Sequence, residues 1–256
     1  MGQTALRLSR RILTSALALL LVAAAPLVWA QSRANVLLIG SGSPGASVVI
    51  SFIQAAQCSS GTASCTISIT PTTGHYLFVG FCGTGSSSLS LSDGSNTYNV
   101  ANAALTGGNG NASTCATWLS NAVGSGALSL VCTSTSSVHQ LGCICFEISK
   151  TGGTLSVDQT ATGGDVTAVT SWVTSATSTT TQATELVVSA MGEAVASSTL
   201  SAGGSFTIPS GGSTNGGAAG QAVGMEYQNV SSTGTYSGAI TAGTAQSYVS
   251  LIATLK

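Results

Sequence analysis

Apolar and polar residues alternate with a period of two along most of the chain. Cys65, Ile67 and Ile69 are interleaved with Ser64, Thr66, Ser68 and Thr70, and Leu89 and Leu91 with Ser88, Ser90 and Ser92. Near the end, Val249, Leu251, Ala253 and Leu255 fall on one side. Successive side chains of a strand point to opposite faces, so this pattern predicts half-buried strands. Two runs, Tyr76–Cys82 and Leu186–Ala190, are apolar on both faces and predict central strands covered on both sides. Turn signals separate the runs: Asp93-Gly94, Gly107-Gly108-Asn109-Gly110, Gly152-Gly153, Gly163-Gly164, Gly203-Gly204 and the stretch from Gly211 to Gly217. No segment places apolar residues at i, i+3 and i+4 over a dozen positions. Many short strands joined by Gly-rich turns predict an antiparallel sandwich or barrel. The stretch from Asp158 to Thr184, rich in Thr, Ser and Ala, reads either as a long polar strand pair or as a loose connection.

The first thirty residues break the pattern. Arg7, Arg10 and Arg11 precede an apolar run from Ile12 to Val28, which closes with Val28-Trp29-Ala30 before Gln31. This is the arrangement of a cleavable secretory leader, and the run is short for a membrane span. The expected organisation is therefore a signal peptide over 1–30 and a single β-sandwich domain over 31–256, with no membrane span after cleavage. Three of the six cations lie in the leader. The mature chain keeps Arg33, Lys150 and Lys256 against seven carboxylates, a net charge of −4 with neutral His. Three scattered cations cannot neutralise a phosphate backbone, so nucleic acid is excluded as a partner. With 43% apolar residues the chain is nonetheless expected to pack a core.

Seven cysteines in an exported chain predict disulfides. Cys115–Ser120 and Ala127–Cys132 read as the arms of a hairpin. With the turn between Val123 and Gly124, Cys115 falls opposite Cys132, Thr117 opposite Leu130 and Leu119 opposite Leu128. A cross-strand Cys115–Cys132 bridge, contributing about 3 kcal/mol, is the expectation. Cys58 and Cys65, which bracket a short Ser/Gly loop, form the second expected pair. Cys82, Cys143 and Cys145 are left without assignment. A metal site at Cys143-Ile144-Cys145 with His139 lacks a C-x-x-C pair, and a buried thiol or half of a disulfide is the preferred reading, so no metal is expected.

Other motifs fail on context. Val36–Gly45 matches a strand followed by G-x-G-x-x-G, but no carboxylate occurs between Arg33 and Asp93 to hold a ribose, so no cofactor is expected. Only His75 and His139 are available as a base, without a G-x-S-x-G, H-E-x-x-H or S-x-x-K serine signature, so no catalytic residue is assigned. Glu147, Glu185, Glu193 and Glu226 lie in or beside strands and are candidate paired carboxylates for glycan hydrolysis, though no local spacing gathers them. Asp93-Gly94-Ser95-Asn96-Thr97 offers oxygens to calcium, and a hairpin turn explains the same residues. Asn111 and Asn229 head glycosylation sequons.

Several stretches together resemble an uncharacterised type of secreted bacterial jelly-roll-like β-sandwich. They are Phe52-Ile53-Gln54, Gly74-His75-Tyr76-Leu77-Phe78-Val79, Leu91 to Tyr98, Trp118 to Val123, Phe146-Glu147-Ile148-Ser149, Thr184 to Val188 and Ser231 to Tyr236. The resemblance implies an all-β, antiparallel β-sandwich, jelly-roll-like, following an N-terminal signal helix. It brings no catalytic residues, and the high cysteine content departs from it and suggests added cross-links. The expected function is that of a non-enzymatic extracellular or cell-surface module, structural or adhesive. Its uncharged strand edges are available for self-association or for a surface polymer. The alternative is a carbohydrate-binding module with Trp118, Trp172 and Tyr236 as glycan contacts; Tyr98, Tyr227 and Tyr248 are further aromatic candidates. An exported glycan hydrolase is the third reading.

Overall fold

The structure, a computed structural model, describes residues 48–85, 88–106, 113–135, 140–193, 199–215 and 221–256. All of these belong to one compact unit, Ser47–Lys256. The leader, the Gly40–Gly45 motif, His139 and Asn111 lie outside the described residues. Among the described residues every regular element is a strand: β1 (Val49–Ser60), β2 (Ser64–Ile69), β3 (Tyr76–Thr84), β4 (Leu89–Ser92), β5 (Tyr98–Thr106), β6 (Ser113–Ser120), β7 (Leu128–Ser134), β8 (Leu141–Thr151), β9 (Val157–Val173), β10 (Thr184–Glu193), β11 (Leu200–Ala202), β12 (Ser213–Asn215), β13 (Ala222–Ser231) and β14 (Ala239–Leu255). All pairings are antiparallel.

The chain is an antiparallel β-sandwich, but one of three layers. A middle sheet runs β1-β8-β3-β6-β5 and a small cap sheet runs β2-β7-β4. A back sheet runs β11-β14-β10-β13-β12, with β9 along the other side of β14. In the first two sheets β1 pairs with β8, β2 with β7 and β3 with β6, the order left when a long hairpin of strands rolls up on itself. That is jelly-roll wrapping, with β5 joined to β6 at the edge of the middle sheet.

Period-2 burial explains the layers. Phe78, Leu119, Ile144, Phe146 and Ile148 point from the middle sheet to the back sheet, where they meet Leu186, Val188, Met225 and Leu251. Their neighbours Leu77, Val79, Phe81, Trp118 and Cys145 point the other way, onto Ile67 and Leu130 of the cap. The middle strands β3 and β8 thus have no solvent face, as their two-sided apolar runs require. Gly80 and Gly142 face the back sheet and let it approach. A Cβ at Gly80 would lie 2.6 Å from Met225 Sδ, and one at Gly142 would lie 2.8 Å from the Gln221 carbonyl oxygen.

The expected hairpin of Cys115 and Cys132 does not form. The strands are present as β6 and β7, but they belong to different sheets. The connection between them is held away from a tight turn: Val123 is buried, its amide donates to the His75 carbonyl, and its carbonyl accepts from Gly74. Leu128 and Leu130 then pair with Ile69 and Ile67 along the cap sheet instead of with β6. Asp93-Gly94 likewise starts a turn but not a hairpin, since β4 and β5 also lie in different sheets.

The Thr/Ser-rich stretch is neither a strand pair nor a loose connection. It forms β9 and then an extended strap over 174–180. Thr174, Thr177 and Thr180 are all buried. Their amides donate to the carbonyls of Gly238, Tyr236 and Gly234 at 3.1, 2.9 and 2.9 Å. Their hydroxyls accept from the amides of the same three residues at 2.9, 3.1 and 3.2 Å. A three-residue period on one side therefore reads a two-residue period on the other. Thr177→Val keeps shape but strips the Tyr236 amide of its acceptor, so denaturant unfolding should show a loss of about 1–3 kcal/mol. Exposed Thr179→Val should be near neutral. Gly142→Ala should cost about 1–3 kcal/mol by overpacking, measured in the same way.

Candidate functional site

The cysteines pair as Cys58–Cys65, Cys82–Cys115 and Cys132–Cys143, with Cys145 free and buried. The link between Cys58 and Cys65 is the one their spacing predicted. Cys115 joins Cys82 rather than Cys132, because β3 and not β7 is its neighbour. Cys82 and Cys115 are register partners on β3 and β6, with Cα atoms 4.1 Å apart. The other two bridges tie the cap to the middle sheet, from β2 to β1 and from β7 to β8. Burial pushes the Cys145 thiol far up, with the Glu147 charge adding to the effect. It is therefore not a ready nucleophile at neutral pH.

The four candidate carboxylates, Glu147, Glu185, Glu193 and Glu226, do not converge on one another. Glu185, Ser189 and Glu193 share one face of β10, and Glu226 is the register partner of Ser189. At about 3.4 Å per residue, Glu226 stands about 14 Å from the levels of both Glu185 and Glu193, beyond the reach of paired-carboxylate glycan hydrolysis. Glu147 lies on a different sheet and is fully buried. Its Oε1 accepts from the Thr72 amide at 2.8 Å and meets His75 Nδ1 at 2.5 Å, while Oε2 accepts from Gln54 Nε2. Burial alone would raise its pKa, but these hydrogen bonds outweigh it and hold the carboxyl below its ordinary value. Asp93 is likewise consumed: Oδ1 accepts from the Ser95 and Asn96 amides, and Oδ2 from Asn96 Nδ2 and the Tyr98 hydroxyl. The residues that offer oxygens to calcium, and that a turn explains equally, form a self-satisfied turn with Gly94 at φ 77°.

One carboxyl pair had no local signal in the sequence, its members being 27 positions apart. Asp158 accepts from Lys256 Nζ at 2.5 Å and from the Thr181 amide and hydroxyl at 2.6 Å. Glu185 lies against it. Burial, with the hydrogen bond and charge of Asp158, pushes Glu185 up to about 7. Burial also pushes Glu226 up to about 7, against the pull of Ser189 and the Ala239 amide.

Among the aromatic candidates, Trp118 and Trp172 are not surface platforms. Trp118 fills the middle–cap core beside Phe81, and Trp172 stacks on Tyr248 at 5.7 Å with its Nε1 donating to the Val169 carbonyl. Both are large apolar bodies on the inward phase of their strands, so burial dominates. Tyr248 is buried as well, and Tyr227 is stacked on Phe52. Tyr236 is different. It is half-buried and lines an open cleft of about 330 Å³ with Ser205, Phe206, Gln228, Thr235 and Ser237. Sequence reading passed over Phe206; its only cue was an aromatic placed directly after Gly203-Gly204-Ser205.

The second surface is β1, an edge of the middle sheet. Among the described residues no strand pairs with its outer side. It carries no charge over twelve residues, and a bulge at Ile53 turns that side chain outward, leaving Ile53 44% and Val49 48% exposed. Phe52 anchors the strand against Phe146 and Tyr227. The two described cations are engaged elsewhere, Lys150 with the Thr154 carbonyl and Lys256 with Asp158. A hollow of about 520 Å³ opens beside the end of β1, lined by the uncharged polar Gln57, Ser59, Thr199, Ser213 and Asn215.

Comparison with protein-family models, with curated proteins and with solved structures finds no match.

Glu185 and Glu226 give the fold a defined pH response. A carboxyl raised from 4.5 to about 7 on folding contributes stability that is fully present below the unfolded value and lost as pH rises through 7. Asp158 and Glu147, both lowered, act in the opposite sense and only in acid. The melting temperature should therefore fall by several degrees from about pH 5 to about pH 8, and Glu226→Gln should flatten part of that slope.

Proposed function

We propose that the chain is a non-enzymatic, exported β-sandwich module, structural or adhesive, that engages a second copy or a surface polymer through β1. The carrying observation is the uncharged edge of β1, to which no strand pairs among the described residues, with Val49 and Ile53 exposed on that strand. An open edge offers unpaired amides and carbonyls that an extended partner completes, and natural sheets usually guard such edges with charge. Three disulfides suit an oxidising, extracellular-type environment, and the leader-like N-terminus supports export. Sedimentation of the mature protein should show concentration-dependent association, which the double change Val49→Lys, Ile53→Lys weakens at least tenfold, as expected when about 1.4 kcal/mol or more is lost. A protein that stays monomeric at high concentration and binds no envelope polymer would overturn the reading.

The Tyr236 cleft favours a second reading, a carbohydrate-binding module. Two aromatic rings, Phe206 and Tyr236, stand among the hydroxyl and amide groups of Ser205, Thr235, Ser237 and Gln228, a combination suited to a neutral sugar. On this reading a glycan array gives a neutral ligand whose binding Tyr236→Ala removes without shifting the β1-dependent association. An array without any hit sinks it.

A further inference from the structure

Behind β1 the cap and middle sheets are pinched together around four sulfurs. Cys58 and Cys143 are register partners on β1 and β8 of the middle sheet, and Cys65 and Cys132 are register partners on β2 and β7 of the cap. The two bridges run between the layers, with Cα–Cα separations of 5.8 Å for Cys58–Cys65 and 6.7 Å for Cys132–Cys143. Packed sheets normally stand about 10 Å apart, so the layers converge here. The sulfurs of Cys58, Cys65 and Cys132 all lie within 4.8 Å of one another, and the fourth sulfur, of Cys143, is bonded to that of Cys132. Each cysteine thus has one neighbour along its own sheet and one across the layers.

Four sulfurs gathered by four strands are also a ligand set. Zinc takes four thiolates tetrahedrally at about 2.3 Å, which places the sulfurs about 3.8 Å from each other. Three of the sulfurs already lie within 4.8 Å of one another, and opening the bridges frees Cys143 Sγ, beside Cys132, to complete the set. Carboxylates and hydroxyls are absent from the group, so the donor set is soft and selects a thiophilic ion over calcium or magnesium. Cys58 is the half-exposed member and gives reductant and metal their access, whereas Cys82 and Cys115 are fully buried.

We propose that Cys58, Cys65, Cys132 and Cys143 form a four-sulfur site which, in the reduced chain, holds one zinc-class ion in place of the two disulfides. Opening both bridges consumes four electrons and four protons. Two molecules of a dithiol supply them, each closing to its own disulfide. The ion then binds the four sulfurs as thiolates and releases their protons, so the cap stays joined to the middle sheet in either redox state.

The test uses the full mature chain. Anaerobic treatment with a phosphine without denaturant reduces each bridge, water supplying the oxygen of the phosphine oxide and the protons of the thiols. Added zinc should then bind at one ion per chain by elemental analysis. Cobalt in its place should show thiolate charge-transfer absorption and the bands of a tetrahedral site. Cys58→Ser and Cys143→Ser should each weaken binding by at least about 100-fold. Cys145→Ser and the double change Cys82→Ser, Cys115→Ser should leave the stoichiometry at one. The oxidised chain should bind none. If the reduced chain unfolds, zinc should restore its protease resistance. The proposal fails if no metal is taken up, if zinc does not restore a reduced chain that has unfolded, if Cys58→Ser and Cys143→Ser bind as the parent does, if Cys145→Ser or the double change loses the ion, or if the oxidised chain binds equally.

Discussion

The structure depends on two strands at the middle of one sheet that have no wet face. β3 and β8 bury side chains in both directions, so neither the back sheet nor the cap can leave without exposing a continuous row of Phe, Ile, Leu and Val. Apolar surface removed from water contributes about 25 cal/mol per Å², and here it is removed twice along the same strands. The small residues follow from this. Gly80, Gly142 and Gly192 stand where an opposing layer leaves no room for a side chain, and a Cβ at Gly192 would lie 2.6 Å from Cys82 Sγ. The bridges follow too, one clamping β3 to β6 within the middle sheet and two fastening the short cap strands, which are too small to hold by area alone.

A protein with so few ions must satisfy its interior by other means. Hydroxyls and amides do most of this. The Thr strap closes six hydrogen bonds along 174–180, and Asn102, at the bulge of β5, donates to the Ala161 carbonyl and so links the edge of the middle sheet to β9. Where carboxyls are buried, each is treated separately. Glu147 is surrounded by donors and stays charged. Glu226 has one oxygen served by Ser189 and the Ala239 amide, while Oε2 is buried without a hydrogen-bond partner among the described residues. The same residue type is thus set to opposite proton affinities by the number of donors around it.

Strand identity was legible because it depends on adjacent residues. Alternation at Ser64–Thr70 and the two-sided run at Tyr76–Cys82 mark β2 and β3 correctly, and the latter even implies a covered middle layer. Sheet membership was not legible, because it depends on residues far apart. The register that set Cys115 against Cys132 is internally consistent, yet a buried Val123 in the intervening loop sends β7 to the cap. The same limit governed chemistry. Trp118 and Trp172 were candidate glycan contacts because nothing local tells the inward from the outward phase of a strand when one neighbour is polar and the other apolar, as with Thr117 and Leu119 or Ser171 and Val173. The Asp158–Glu185 contact arises only because β9 and β10 flank β14 in one sheet, and the four-sulfur cluster only from the packing of two sheets on each other.

The strap over 174–180 has a consequence for how the chain tolerates change in length. A helix or a sheet margin absorbs a single inserted residue by fraying or bulging, with the remaining contacts kept. Here three hydroxyls are matched to three alternate amides by two different periods, so adding or removing one residue between Thr174 and Thr180 puts every downstream hydroxyl out of phase at once. Length variation in this region therefore keeps the match only in steps of three on the strap, each accompanied by two residues on the 234–238 side.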